Sequence, residues 1–214
     1  MAVSKTYIYK NESLNIWTHA GGCLVFFLLS ILLVAKAASS SIKYATFSTA
    51  IFGLSLIILY AASARYHWAK RIYDPRTDKF QLYDHIGIYY LIAGSYTPYV
   101  LINLGSGSGW RVFYSIWFIA FVGTIYKLWF RSKFKMLSLY LYIAMAWIII
   151  FDVKELIQSC TTDTLLYIVA GAASYMIGTI FYANDRIPYN HPIWHLFVLG
   201  GSGFHLMGVF ASLK

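Results

Sequence analysis

Residues 189–205 read YNHPIWHLFVLGGSGFH. From Pro192 the run stays apolar to Leu213, about the 20 residues that a helix needs to cross a hydrocarbon core. Yet this one segment carries three of the six histidines of the chain, His191, His195 and His205. Titratable side chains in lipid are costly unless they are paired or ligating, so the segment is predicted as a membrane helix with a chemical task at its start. Asn190 can serve as its N-cap, and Pro192 fits the first turn, where a missing N–H does no harm.

The rest of the chain has the same character. Of its 214 residues 59% are hydrophobic and only 12% charged, against about a quarter charged in soluble domains. Apolar runs fall at about 16–35, 44–65, 83–104, 111–130, 135–154, 164–183 and 192–213. They are separated by AKAASSSIK, AKRIYDPRTDKFQ, NLGSGSGW, FRSKFK, SCTTD and NDRIPYNHP, which read as loops. The expectation is an all-α membrane protein, one seven-helix transmembrane domain over residues 1–214. The run ending in VAKAASS imitates a signal peptide with its cleavage site, but is long enough to span and is read as the first helix. Cys23 and Cys160 fall in or beside different runs and read as free, buried thiols.

The net charge of +9 is spread over short loops, so it points to membrane topology and not to a nucleic-acid partner. With the N-terminus cytoplasmic, that side holds twelve basic residues: Lys5, Lys10, Arg65, Lys70, Arg71, Arg76, Lys79, Lys127, Arg131, Lys133, Lys135 and Arg186. The other side holds five, namely Lys36, Lys43, Arg111, Lys154 and Lys214. The predicted orientation is therefore N-terminus inside and C-terminus outside. That is the reverse of the G-protein-coupled receptor arrangement.

With this topology the intramembrane polar residues converge at one depth. The second span ends with SARYH, placing Ser63 and His67 four apart on one face. The third begins with YDHIG, with Asp84 near its start, and the seventh opens with His191 and His195 stacked four apart. Two imidazoles at that spacing offer a bidentate grip, and His67 completes a three-histidine site with an open position, a donor set that suits Zn²⁺. His19 lies at a similar depth, with Glu12 and Asn15 just before it, and stands as a partner of the ligands or a rival to them. His205 is ten residues past His195, about 15 Å along the helix, too far to share an ion; an interhelical hydrogen bond is expected of it. His85 points about 100° away from Asp84 and reads as an interfacial or supporting residue.

Other features have structural explanations. Pro98 is expected to kink the third helix, with Ser95 and Thr97 able to satisfy freed carbonyls. The glycines of GGSGF and GGC read as close helix contacts. Asp152, Glu155 and Asp163 sit at the outer ends of their helices and read as solvated.

NESLNIWTHAGG, SARYH, DHIGIYYLIAGSYTP and RIPYNHPIWHLFVLGGSGFH together resemble the signatures of the hemolysin III family, within the progestin and adipoQ receptor superfamily. The resemblance covers essentially the whole chain. It implies a seven-helix bundle with a cytoplasmic-side zinc held by His67, His191 and His195, Asp84 close to the water of the open position, and Ser63 beside the site. It also implies an activity, because adiponectin receptors in the superfamily are described as ceramidases and alkaline ceramidases have a similar arrangement. The roughly fifteen residues before the first span are fewer than in the hormone-receptor members, which argues against a hormone-receptor role.

Three functions follow for comparison. A hydrolase would cleave a lipid amide such as ceramide, with Asp84 as general base and Ser63 stabilising the oxyanion. A seven-helix sensor or receptor would use zinc as a structural clamp, with a fourth protein ligand in place of water. A pore-forming hemolysin would need a polar stripe through a helix, and none is present. The hydrolase is the favoured expectation, with membrane lipids as partners and the plasma membrane as location. The orientation is testable by cysteine accessibility. A cysteine introduced between residues 70 and 79 should label only from the cytoplasmic side; labelling only from outside would reverse both the topology and the placement of the site.

Overall fold

In the computed structural model, which describes residues 5–105, 107–131 and 133–214, every described element is helical. The side chains of Lys5 and Lys135, two of the basic residues counted above, lie outside the described part. The helices are α1 (Lys5–Ala38), α2 (Ala45–Arg71), α3 (Thr77–Pro98), α4 (Gly109–Phe130), α5 (Lys135–Ala146), α6 (Val153–Ser159), α7 (Thr162–Ala183) and α8 (Asn190–Ser212). Six segments are long and apolar enough to cross a membrane: Thr6–Ala38, Ala45–Arg71, Gly109–Phe130, Met136–Ser159, Thr162–Ala183 and Asn190–Ser212. The chain is thus an integral, multi-pass membrane protein. α3 falls short of that apolar standard because its first turns carry Asp78, Lys79, Gln81, Asp84 and His85; of its polar residues, Asp84, Ser95 and Thr97 are buried in the bundle. A helix whose polar residues are covered by neighbours need not look apolar along its length.

The observed helices depart from the predicted boundaries where packing overrides hydropathy. α1 begins eleven residues before the expected start at 16, because its polar first turns are held against α2 and α8. α2 runs on to Arg71, and the turn after it is fixed by Asp74. Asp74 accepts from the backbone N–H of Arg76 at 2.8 Å and from its guanidinium at 3.1 and 2.9 Å. Those Arg76 hydrogen bonds, with Arg65 at 3.5 Å, hold the Asp74 carboxyl well below the usual carboxylate range. The expected Pro98 kink is a change of helix type. α3 stops there and the chain continues as a π-helical turn, Tyr99–Asn103, while Thr97 Oγ1 and Ser95 Oγ donate to the carbonyls of Ala93 and Ile92 at 2.8 and 2.9 Å.

The fifth predicted span, 135–154, is broken. Between α5 and α6 lies a 3₁₀ turn, Ile148–Asp152, and the segment extends to Ser159. The break is patched from α3, where the Tyr96 hydroxyl donates to the Ala146 carbonyl at 2.5 Å and accepts from the Ile149 N–H at 3.4 Å. The acids expected at the outer helix ends are engaged, not merely solvated. Asp152 pairs with Arg111, Glu155 accepts from the Ser108 N–H at 3.1 Å, and Asp163 pairs with Lys214 at 3.2 Å. The start of α8 also differs: Tyr189, at φ 55°, occupies the cap position, and Asn190 is the first helical residue, its amide donating to the Phe181 carbonyl at 3.2 Å.

The helices pack in the order α7–α8–α1–α2–α3–α4, with the α5–α6 segment set chiefly against α3 and α4. One core joins α1, α2, α3 and α8 through Phe26, Phe52, Leu56, Tyr60, Leu91, Val198 and Leu206, and a smaller one joins α3, α4 and α5 through Tyr89, Ile116, Ala120, Tyr142 and Met145. Small residues set the close approaches. Gly201 lets the Tyr175 ring of α7 lie against α8, where an added Cβ would meet it at 2.6 Å. Cys23 and Cys160 are free and half-buried.

Candidate metal centre

The end of the bundle where α1 and α8 begin and α2 finishes collects three imidazoles. His67 projects from the last turns of α2, one turn after Ser63. His191 and His195 project from the first two turns of α8. Each offers one ring nitrogen, and these atoms all lie within 4.8 Å of one another. His67 and His195 are buried and His191 is half-buried. In tetrahedral zinc sites Zn–N is about 2.0–2.1 Å, so ligand nitrogens stand about 3.4 Å apart. An ion would need only small side-chain shifts to draw this cluster closed.

α1 fixes the ring orientations. His67 Nδ1 donates to Glu12 Oε2 at 2.7 Å, and Glu12 Oε1 pairs with Lys70 Nζ at 2.8 Å. Glu12 is 1% exposed and His67 is fully buried. With Nδ1 committed, His67 Nε2 is left buried with no hydrogen-bond partner. An unpaired imidazole nitrogen in a membrane interior costs about 1–3 kcal/mol, and an ion held with the other two histidines is the ligand that fits it. The Thr18 hydroxyl donates to the Leu14 and Asn15 carbonyls at 2.9 and 3.0 Å, and lies 3.2 Å from His195 Nδ1. It therefore accepts from an Nδ1–H, so His195, like His67, presents Nε2. A carboxylate or hydroxyl behind each ligand is the usual way that a protein fixes the tautomer of a metal-binding histidine.

The other residues singled out by the sequence sort themselves by position. Asp84, on α3, is 8% exposed and faces the same cavity as Ser63, His191 and His195, but stands outside the group of three ligand atoms. Ser63 neighbours Asp84 without hydrogen-bonding geometry, and its hydroxyl is buried without a partner. The cavity has a volume of about 120 Å³ and runs from this polar end between Leu91, Ile92, Ile143 and Ala146. His19 stacks on His195, ring centroids 3.5 Å apart, and stays outside the ligand group. His205 is far along α8. Its ring lies on Tyr175 with centroids 5.5 Å apart and its Nδ1 has no partner, so aromatic packing replaces the expected interhelical hydrogen bond; only its carbonyl accepts one, from Tyr99 at 2.8 Å. His85 lies 3.4 Å from Lys127 Nζ through its Nδ1.

Glu12, Thr18 and Lys70 were missed as site residues. Their signal was spacing: Glu12, Asn15 and His19 recur at three and four residues, one face of a helix, and Lys70 follows His67 by three.

Comparison with known proteins gives the family. The sequence pattern of the haemolysin-III-related family matches residues 7–206, from the first turn of α1 to the middle of α8. The chain belongs to the haemolysin-III-related family. This member is 37% identical over 198 residues to Hemolysin-3 of Bacillus cereus, covering 92% of this chain and 89% of that one. It is 35% identical to the Hemolysin-3 homolog of Bacillus subtilis, covering 92% and 91%. It is also 33% identical over 170 residues to the human monocyte to macrophage differentiation factor, covering 76% of this chain and 69% of that one. The match extends to relatives of the progestin and adipoQ receptor type.

A metal taken up by this family member should depend on Glu12 as well as on the histidines. Glu12→Ala should weaken zinc binding by about 10–100-fold, the usual effect of losing the group behind a ligand, with Glu12→Gln in between and His205→Ala at the parent level. Competition against a chromophoric chelator reads all three. An unchanged affinity in Glu12→Ala would show that His67 is not held as a ligand by α1.

Proposed function

We propose that the protein is a zinc-dependent hydrolase of lipid amide bonds, ceramidase-like in its chemistry. The reading rests on one juxtaposition. The orphaned Nε2 of His67 and the two α8 histidines stand beside a buried carboxylate, Asp84, that is not one of the three, at the polar end of an apolar cavity. In this reading the bundle is one domain of seven crossings, α3 being the seventh, with the N-terminus cytoplasmic, the C-terminus outside, and the plasma membrane as its location.

His67, His191 and His195 would hold the zinc. When bound there, zinc supplies a polarised amide carbonyl and a water of lowered pKa. The remaining work falls to the chain. Asp84 accepts a proton from the attacking water on its carboxylate and returns it to the amine nitrogen as the C–N bond breaks. The Ser63 hydroxyl, buried without a partner, donates to the carbonyl oxygen as charge develops on it. The acyl chain lies in the cavity, whose walls from α5 and α7 include Leu139, Ile143 and Met176. α7 packs chiefly on α8 and α5 chiefly on α3 and α4, so the cavity can be entered between them from lipid.

A sensor with a structural zinc would need a fourth protein ligand. The nearest further imidazole, His19, is stacked flat on His195 and lies outside the ligand group, which favours the hydrolase.

Asp84→Asn separates chemistry from structure, because it keeps the size of the side chain and removes its ability to accept a proton. The variant should fold and keep its zinc, yet hydrolyse a short-chain ceramide at least about 100-fold more slowly. Turnover at the parent rate would remove Asp84 from the mechanism. Loss of zinc would make it a ligand and support the sensor.

A further inference from the structure

A hydrolase consumes one water per turnover, and its metal must reach the site from an aqueous phase. The main cavity is poorly built to supply either, because beyond the histidine cluster most of its walls are apolar. A second, smaller cavity of about 40 Å³ lies at the same end of the bundle, lined by Asp78, Gln81, Leu82, His85 and Arg131. Two of these five are charged and two more are polar. The space is too small for an acyl chain and suited to water and ions.

One residue, His85, lines both cavities. The helix sets it in place, since consecutive residues of α3 diverge by about 100°. Asp84 is thereby turned to the metal centre while His85 stands between the two chambers. Its backbone is anchored, the carbonyl accepting from the Tyr142 hydroxyl at 2.8 Å. Movement of its ring about the side-chain bonds would therefore connect the chambers without disturbing α3.

Lys127 is an independent sign that water belongs here. It is 1% exposed, and among the described residues no carboxylate pairs with it. Among the described residues its ammonium has two long contacts, His85 Nδ1 at 3.4 Å and the Arg131 carbonyl at 3.5 Å. A buried cation with three donors needs better acceptors than these, and water held between Lys127 and His85 would supply them.

We propose that His85 is the door between the small polar cavity and the metal centre, through which water and zinc pass. The inference rests on the metal reading but not on hydrolysis, so its test measures metal exchange. The full-length, zinc-loaded protein in detergent is mixed with excess EDTA, and zinc release is followed with a colorimetric indicator. His85→Ala, which removes the partition, should speed release by about tenfold, and His85→Trp, which enlarges it, should slow release by about as much. Both should leave the equilibrium zinc affinity unchanged. Release at the parent rate in both variants would overturn the door, and affinity changing in step with rate would make His85 part of the metal's hold. A parent protein that takes up no zinc would overturn the metal reading beneath it.

Discussion

The hydrogen bond from His67 to Glu12 is the constraint on which the site depends. A carboxylate buried in a membrane bundle is costly unless its charge and lone pairs are satisfied, and Glu12 is satisfied from both sides, by His67 at 2.7 Å and Lys70 at 2.8 Å. The first consequence is that α1 must be helical well before its apolar stretch begins, to carry Glu12 to α2. The second is that α1 then lies against the start of α8, where Thr18 meets His195 and the Tyr7 hydroxyl accepts from the Tyr189 N–H at 2.9 Å. The third is that both imidazoles are left with Nε2 toward a common point.

Charge gives the same answer as geometry. Glu12 and Asp84 are two buried carboxylates close to the imidazoles, and Lys70, which is 44% exposed, offsets only the first from the rim. A divalent cation on the three histidines would balance what remains. A buried cluster of this kind is high-stakes, since a half-satisfied polar network is worse than an apolar core. The unpaired buried atoms in it include His67 Nε2, Ser63 Oγ and both ring nitrogens of His19, and Ser63 and His19 line the main cavity.

Much of this was legible in the sequence because two signals were strong. Runs of about 20 apolar residues mark membrane helices, and six of the seven predicted runs correspond to helices apolar enough to cross. His191 and His195 declare themselves by their spacing, which fixes their relation whatever the tertiary packing. What failed was whatever depended on neighbours. Hydropathy put the start of α1 at 16 and so left Glu12, although noted beside His19, outside the helix, whose first turns are held by contacts that no local window contains. The interruption in α5–α6 was invisible because Ile148 to Phe151 are as apolar as the residues around them, and the break is stabilised by Tyr96 from another helix. The cap of α8 was misassigned for a similar reason: Asn190 is a good cap by type, but Phe181 and Asp185 claim its amide.

The central claim is that three imidazoles hold a metal whose remaining position is open to water. Zinc K-edge X-ray absorption on the purified, zinc-loaded protein tests it most directly. The account predicts four light-atom neighbours at about 2.0–2.1 Å, with outer-shell scattering that counts three imidazoles and a fourth oxygen donor exchangeable for a small anion. Four imidazoles, a sulfur neighbour, or a shell that no added anion can alter would contradict it.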